Sequence, residues 1–157
     1  MLPRSLSFLK EHRSPGIRQL TGPDLEFNLM NFKEFENYIP TTPGVYIIVS
    51  TDGTHFQYPS GKSPVMYIGM SLNLYNRLKD HYQGTCLVRD RLEDYLYMSY
   101  QCHQRYHYFR EFGAKVYVFT RRGIQNPKEQ EALYIGKFYE KYLSLPVSNG
   151  ARSFSCK

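Results

Sequence analysis

Apolar and polar residues follow periods that change along the chain. Residues 45–50 and 65–69 are short apolar runs, the first of them rich in β-branched side chains. Thr41-Thr42-Pro43-Gly44 precedes the first, and a polar loop with Asp52, Gly53, Pro59, Gly61 and Pro64 separates the two. This pattern predicts two strands of an antiparallel hairpin with a long connection, and residues 115–120 read as a third strand. From Ser71 the period lengthens. Leu74, Leu78 and Tyr82 recur every four residues as a helical stripe facing the sheet, with Asn73, Arg77 and His81 on the adjacent stripe.

Further on, residues 88–112 are dense in tyrosine, read as mostly helical, and end at Gly113. Asn126-Pro127-Lys128-Glu129 has the form of a helix start: Asn as cap, Pro in the first turn, Glu returning to the cap. That helix is expected to reach about Leu143, before Pro146 stops it. Residues 31–38 are expected to form a short helix with Phe32 and Phe35 on one side. Pro3, Pro15, Gly16, Gly22 and Pro23 punctuate an irregular N-terminal stretch, expected to be a flexible or docking arm.

Composition narrows the function classes. At 157 residues, 41% hydrophobic and 22% charged, the chain has the length and make-up of one globular domain. No apolar run approaches the roughly 20 residues of a membrane span. The net charge is +6, concentrated in residues 113–157, whereas residues 23–60 lean acidic. A one-sided basic surface suits a polyanion, because neutralising phosphates releases counterions. Cys86, Cys102 and Cys156 lack paired spacing, which suggests a reducing intracellular compartment rather than secretion. Cys102, His103 and His107 lack a C-x-x-C companion and read better as packing or surface groups than as zinc ligands.

Chemistry enters with Gly44-Val45-Tyr46, Tyr67-Ile68-Gly69 and Arg77. A hairpin followed by a helix brings two phenols and a guanidinium together, a combination suited to phosphodiester cleavage and not required for folding. In the last predicted helix, Glu131 leads a stripe of Tyr134, Ile135, Phe138 and Tyr142. A carboxylate in that position needs a partner. It either pairs with Arg77 or another basic residue, or binds a divalent metal at the sheet rim, which is the better reading. His81 either packs its helix or contacts phosphate and assists proton transfer.

These landmarks resemble the GIY-YIG nuclease superfamily over about residues 41–150. Gly44-Val45-Tyr46 matches the first motif and Tyr67-Ile68-Gly69-Met70-Ser71 the second. Arg77, Glu131 and Asn149 match the family's arginine, metal-binding acid and late asparagine. The resemblance implies an α+β fold: a small three-stranded antiparallel sheet flanked by helices, with a helical insertion at 84–113. Residues 1–40 would then be an N-terminal extension and 151–157 a tail.

It also implies a DNA endonuclease with one Mg²⁺ (or Mn²⁺) held by Glu131 and no small-molecule cofactor. Arg77 would stabilise charge on phosphorus. One of Tyr46 and Tyr67 would deprotonate or orient water while the other holds it, and Asn149 would orient the phosphate or brace the site. His81 would contact phosphate or move a proton. A tyrosine base needs a cation to lower its pKa, and Met70 stands where many relatives carry lysine. That leaves Lys62, His81 or the metal for the task. Arg121, Arg122 and Lys137 are candidate DNA contacts, and the arginines Arg89, Arg91, Arg105 and Arg110 suit a DNA grip by the insertion. A restriction-type enzyme would act as a homodimer. The alternatives are a partner-dependent, structure-selective nuclease and a catalytically silent nucleic-acid-binding module.

Overall fold

The two apolar runs become neighbouring strands of one antiparallel sheet, the first inner and the second at its edge, and helical layers cover both of its faces. The computed structural model describes residues 2–11, 22–84, 87–89, 96–98, 100–120 and 126–149. After a 3-10 helix at Arg4–Glu11 come β1 (Leu25–Asn28), α1 (Phe32–Phe35), β2 (Gly44–Val49), β3 (Phe56–Tyr58) and β4 (Gly61–Ser63). Then follow β5 (Val65–Ser71), α2 (Leu74–Gln83), β6 (Leu87–Arg89), β7 (Leu96–Met98), α3 (Tyr100–Phe112), β8 (Lys115–Phe119) and α4 (Pro127–Tyr142). Strand order in the main sheet is β1-β8-β2-β5, and β3–β4 and β6–β7 form separate two-stranded ribbons.

All six residues of β2 are buried, so the run shows no alternation. Val45, Ile47 and Val49 face the N-terminal 3-10 helix and α4, whose Phe8, Tyr134 and Phe138 complete that layer. Tyr46 and Ile48 face the opposite layer, built from Phe32, Leu74, Leu78 and Phe109. Helix α4 starts as the sequence predicts, with Asn126 Oδ1 accepting the Glu129 N–H at 2.9 Å.

Four expectations need correction. The sheet has a fourth strand, β1, pairing with β8 from Leu25↔Val118 to Asn28↔Lys115. Asp24 ties this edge down, its Oδ2 accepting the Thr120 N–H at 2.6 Å and the Thr120 hydroxyl at 2.9 Å. Residues 2–9 are not a flexible arm but a docked one. Leu2, Leu6, Phe8 and Leu9 are buried in the core, at about 1.5–3 kcal/mol for each such side chain. Among the described residues of 88–112 the helix is α3, and β6 and β7 pair ahead of it as strands. The connection between β2 and β5 is a ribbon rather than a loop. Its buried Tyr58 donates its hydroxyl to the Val65 carbonyl at 2.9 Å.

Candidate active site

Pairing of β2 with β5 sets Tyr46 opposite Gly69 and Ile48 opposite Tyr67. The two tyrosines are therefore diagonal neighbours, with ring centroids 5.8 Å apart. One extra residue, Met66, interrupts the register between Val65 and Tyr67 and turns both itself and Tyr67 toward the α2–α3 layer. Close approach explains the motif glycines. A Cβ on Gly69 would lie 2.6 Å from Tyr67 Cε1 and 2.7 Å from both Cζ and the hydroxyl oxygen of Tyr46. One on Gly44 would lie 2.6 Å from Leu74 Cδ1 and 2.7 Å from the Phe119 carbonyl oxygen.

Helix α2 delivers the other groups. Asn73 caps it, its Oδ1 accepting the Asn76 N–H at 3.1 Å. Arg77 donates to the hydroxyls of both Tyr46 and Tyr67. One turn later His81 is fully enclosed, packed against Tyr46, Tyr67 and Phe109 at centroid distances of 5.5, 5.3 and 5.5 Å. Its Nε2 lies 2.6 Å from the Tyr46 hydroxyl oxygen, and Nδ1 has no protein hydrogen-bond partner.

Electrostatics assigns this bond a direction. Burial, then the charges of Arg77 and Arg105, holds the imidazole well below the ordinary histidine value, so His81 is neutral near pH 7. Burial, then Tyr67, pushes the Tyr46 phenol well above 10, and Arg77 and Arg105 only partly oppose this. Tyr46 thus stays protonated while its oxygen accepts from Arg77. Its own O–H points to the acceptor at hand, His81 Nε2, which puts the imidazole proton on Nδ1. Of the cations expected to ionise a tyrosine, His81 is neutral; Arg77 and Arg105 supply positive charge instead, but desolvation wins.

Glu131 reaches the end of β5 from α4. It is half-buried and its carboxylate accepts the Met70 N–H. Burial raises its pKa, while that N–H and the nearby charges of Arg77 and Lys128 pull the other way. Asn149 binds backbone: Oδ1 accepts the Ile68 N–H at 3.0 Å and Nδ2 donates to the Ile68 carbonyl at 2.8 Å. Beside it Ser148 N–H donates to the Met66 carbonyl at 2.8 Å, so residues 148–149 close the free edge of β5. Of the two roles open to Asn149, this geometry is bracing.

The structure brings together Tyr46, Tyr67, Arg77 and His81, with Glu131 close enough to act on Arg77. Lys137 departs from expectation. It is 3% exposed and its ammonium donates to the Leu9 carbonyl at 3.0 Å, so it ties the N-terminal segment to α4 rather than meeting DNA. Arg121 and Arg122 lie outside the described residues, as do Arg91, Cys86 and Cys156. Arg110 is exposed and donates to the Tyr82 carbonyl at the end of α2 at 2.9 Å. Arg105 turns inward, a placement signalled by its four-residue spacing from the apolar Phe109 on the same helix. Among the described residues, no three His, Cys, Asp or Glu side chains come together, and no helix is long and apolar enough to cross a membrane. No family model, curated protein or solved structure matches the chain.

Proposed function

We propose that this protein is a divalent-metal-dependent endonuclease that hydrolyses DNA phosphodiesters with machinery of the GIY-YIG kind. The observation that carries the reading is the Arg77–Tyr46–His81 array. A guanidinium donates to two phenols, and one of those phenols lies 2.6 Å from a neutral, buried imidazole. Burying these polar groups side by side is costly, and the core would pack as well with apolar residues.

In this reading Tyr46 is the relay, and its oxygen, enclosed in the free protein, is uncovered when the phosphate enters. It then takes a proton from the attacking water as its own proton passes to His81 Nε2, so no free phenolate is required. The negative charge of an entering phosphate offsets Arg77 and Arg105, which favours the imidazolium formed in that step. Arg77 stabilises the charge developing on the phosphoryl oxygens, and Tyr67 keeps the guanidinium aimed. The leaving oxygen takes a proton from solvent water, and His81 releases its proton through Tyr46 to solvent, which resets the site.

Glu131 would hold the metal. Its carboxylate is destabilised by burial and backed by one main-chain N–H, a donor that fits a hard cation completing its shell with water and phosphate oxygens. Such an ion, when bound, polarises the phosphate and stabilises the leaving oxygen. Cutting both strands of a duplex calls for two copies or two successive encounters.

The test incubates supercoiled plasmid with the protein in Mg²⁺ or Mn²⁺, beside Glu131→Ala and Arg77→Ala. Metal-dependent linearisation or nicking, lost in both folded variants, is the expected result. Salt-sensitive binding without cleavage under either metal would replace this reading with a silent binding module.

A further inference from the structure

Arg105 lies outside the motif set, on the helix that ends the insertion, yet it is 8% exposed and reaches the same cluster. Its guanidinium carbon stands 4.8 Å from the centre of the Tyr67 ring, within cation–π range. Its Nε–H donates to the Ser148 carbonyl at 3.1 Å. Ser148 and Asn149 in turn bond Met66 and Ile68, the residues on either side of Tyr67. One planar group therefore covers the Tyr67 ring and also grips the segment that fixes the Tyr67 backbone. Phe109, one turn further along α3, seals His81 from the same side.

Resting on the nuclease reading above, we propose that Arg105 is a positioning residue for the hydrolytic site. It locks the Tyr67 ring, and through it the Arg77 guanidinium, in the reactive arrangement, and does not contact DNA. The insertion helix is then a wall of the active site. Lysine cannot take over this role. An ammonium keeps the charge but loses the flat face that stacks on Tyr67 and the Nε–H fixed in the same plane. Arg105 also places a second positive charge beside Tyr46 and His81, in keeping with a neutral imidazole as proton acceptor. The charged and titratable groups facing His81 are Tyr46 from β2, Tyr67 from β5, Arg77 from its own helix and Arg105 from α3.

The test compares wild type, Arg105→Lys and Arg105→Met. DNA affinity is measured in Ca²⁺, single-turnover cleavage in Mg²⁺, and the ring resonances of Tyr67 and His81 by NMR without DNA. Both substitutions are expected to lower the saturated cleavage rate by roughly tenfold or more, the scale of a misplaced catalytic group. Affinity should stay within about twofold, since no phosphate contact is removed. The Tyr67 and His81 ring signals should move in both variants. A lysine variant matching wild type in rate and ring signals would overturn the proposal. So would a variant whose only defect is weaker, more salt-sensitive binding. Should the methionine variant not fold, the lysine variant decides alone. If the wild type cleaves no DNA, the nuclease reading fails by itself. The ring resonances still decide the positioning role, and unchanged Tyr67 signals would reject it.

Discussion

Gly69→Ala adds one methyl group at the most crowded point of the site, and its sign separates two accounts of the motif glycine. The Gly69 backbone does not need positive φ. A glycine kept only by chance should therefore become alanine with a gain of about 0.4–1 kcal/mol from the stiffer unfolded chain. The structure requires the opposite. The new Cβ would lie 2.6–2.7 Å from atoms of Tyr67 and Tyr46, and ordinary contact begins near 3.4 Å, so each ring must retreat by about 0.7 Å. Neither has room: Tyr46 is fully buried, and Tyr67 is packed against Phe109 and the Arg105 guanidinium.

Overpacking of this kind costs about 1–3 kcal/mol. The same retreat displaces the Tyr46 hydroxyl that lies 2.6 Å from His81, disturbing a further interaction of about 1 kcal/mol. Net destabilisation of about 2–3 kcal/mol is expected from urea unfolding. Cleavage per folded molecule should fall by roughly a hundredfold, as a displacement near 1 Å predicts. An alanine variant as stable as the wild type would refute the packing. One that is destabilised but fully active would refute the role given to the Tyr46–His81 bond.

Other consequences concern stability and pH. Lys137→Met keeps the buried stem but leaves the Leu9 carbonyl without its donor, so a loss of about 1–3 kcal/mol is expected in urea midpoints. DNA affinity and its salt dependence should not change, and a shallower salt slope would restore Lys137 to the nucleic-acid surface. Asn149→Asp replaces the group donating to the Ile68 carbonyl with an acceptor, and should cost a similar amount in thermal unfolding. His81 is held below its ordinary value, so the unfolded chain takes up a proton near pH 6.5 that the folded protein refuses. Stability present above that pH is lost as pH falls below it, by at most about 1.36 kcal/mol per unit. Urea midpoints at pH 7.5 and 5.5 should separate more for wild type than for His81→Asn, and equal separations would reject a buried neutral histidine.

The inner strands, α2 and α4 were legible because each carries a local signal that tertiary packing reinforces. Leu74 and Leu78 at helical spacing, and Asn126-Pro127, are examples. The elements missed lack such a signal. The four residues of β1 follow Pro23 and end at Asn28, whose side chain starts the next turn by accepting the Met30 N–H. Only the Leu25/Phe27 alternation marks a strand, and its stability comes from β8. Residues 2–9 are short, prolines flank the region, and they are core only because α4 offers Phe138 and a lysine to receive them. At the site, residue types and order were readable, but the winner between desolvation and cation at Tyr46 was not, because burial is not written locally. Arg105 carries only the weak signal of its spacing from Phe109, and a basic residue in a tyrosine-rich stretch suggests surface until a neighbouring ring is placed beneath it.

The closure of β5 by residues 148–149 has a consequence for the order of assembly. The bonds from Asn149 to Ile68 span 81 positions of chain, and those between Tyr46 and His81 span 35. During synthesis the hairpin and α2 can meet early. The outer edge of β5 stays open, and Glu131 absent, until nearly all the described chain has been made. Contacts so distant in sequence slow the final step of folding and leave an unpaired strand exposed meanwhile. A nascent chain could therefore pair β2 with β5 and lay α2 against them before Arg105 and residues 148–149 exist to fix Tyr67. The side-chain cluster and the sheet edge are completed together, by the last clasp of β5.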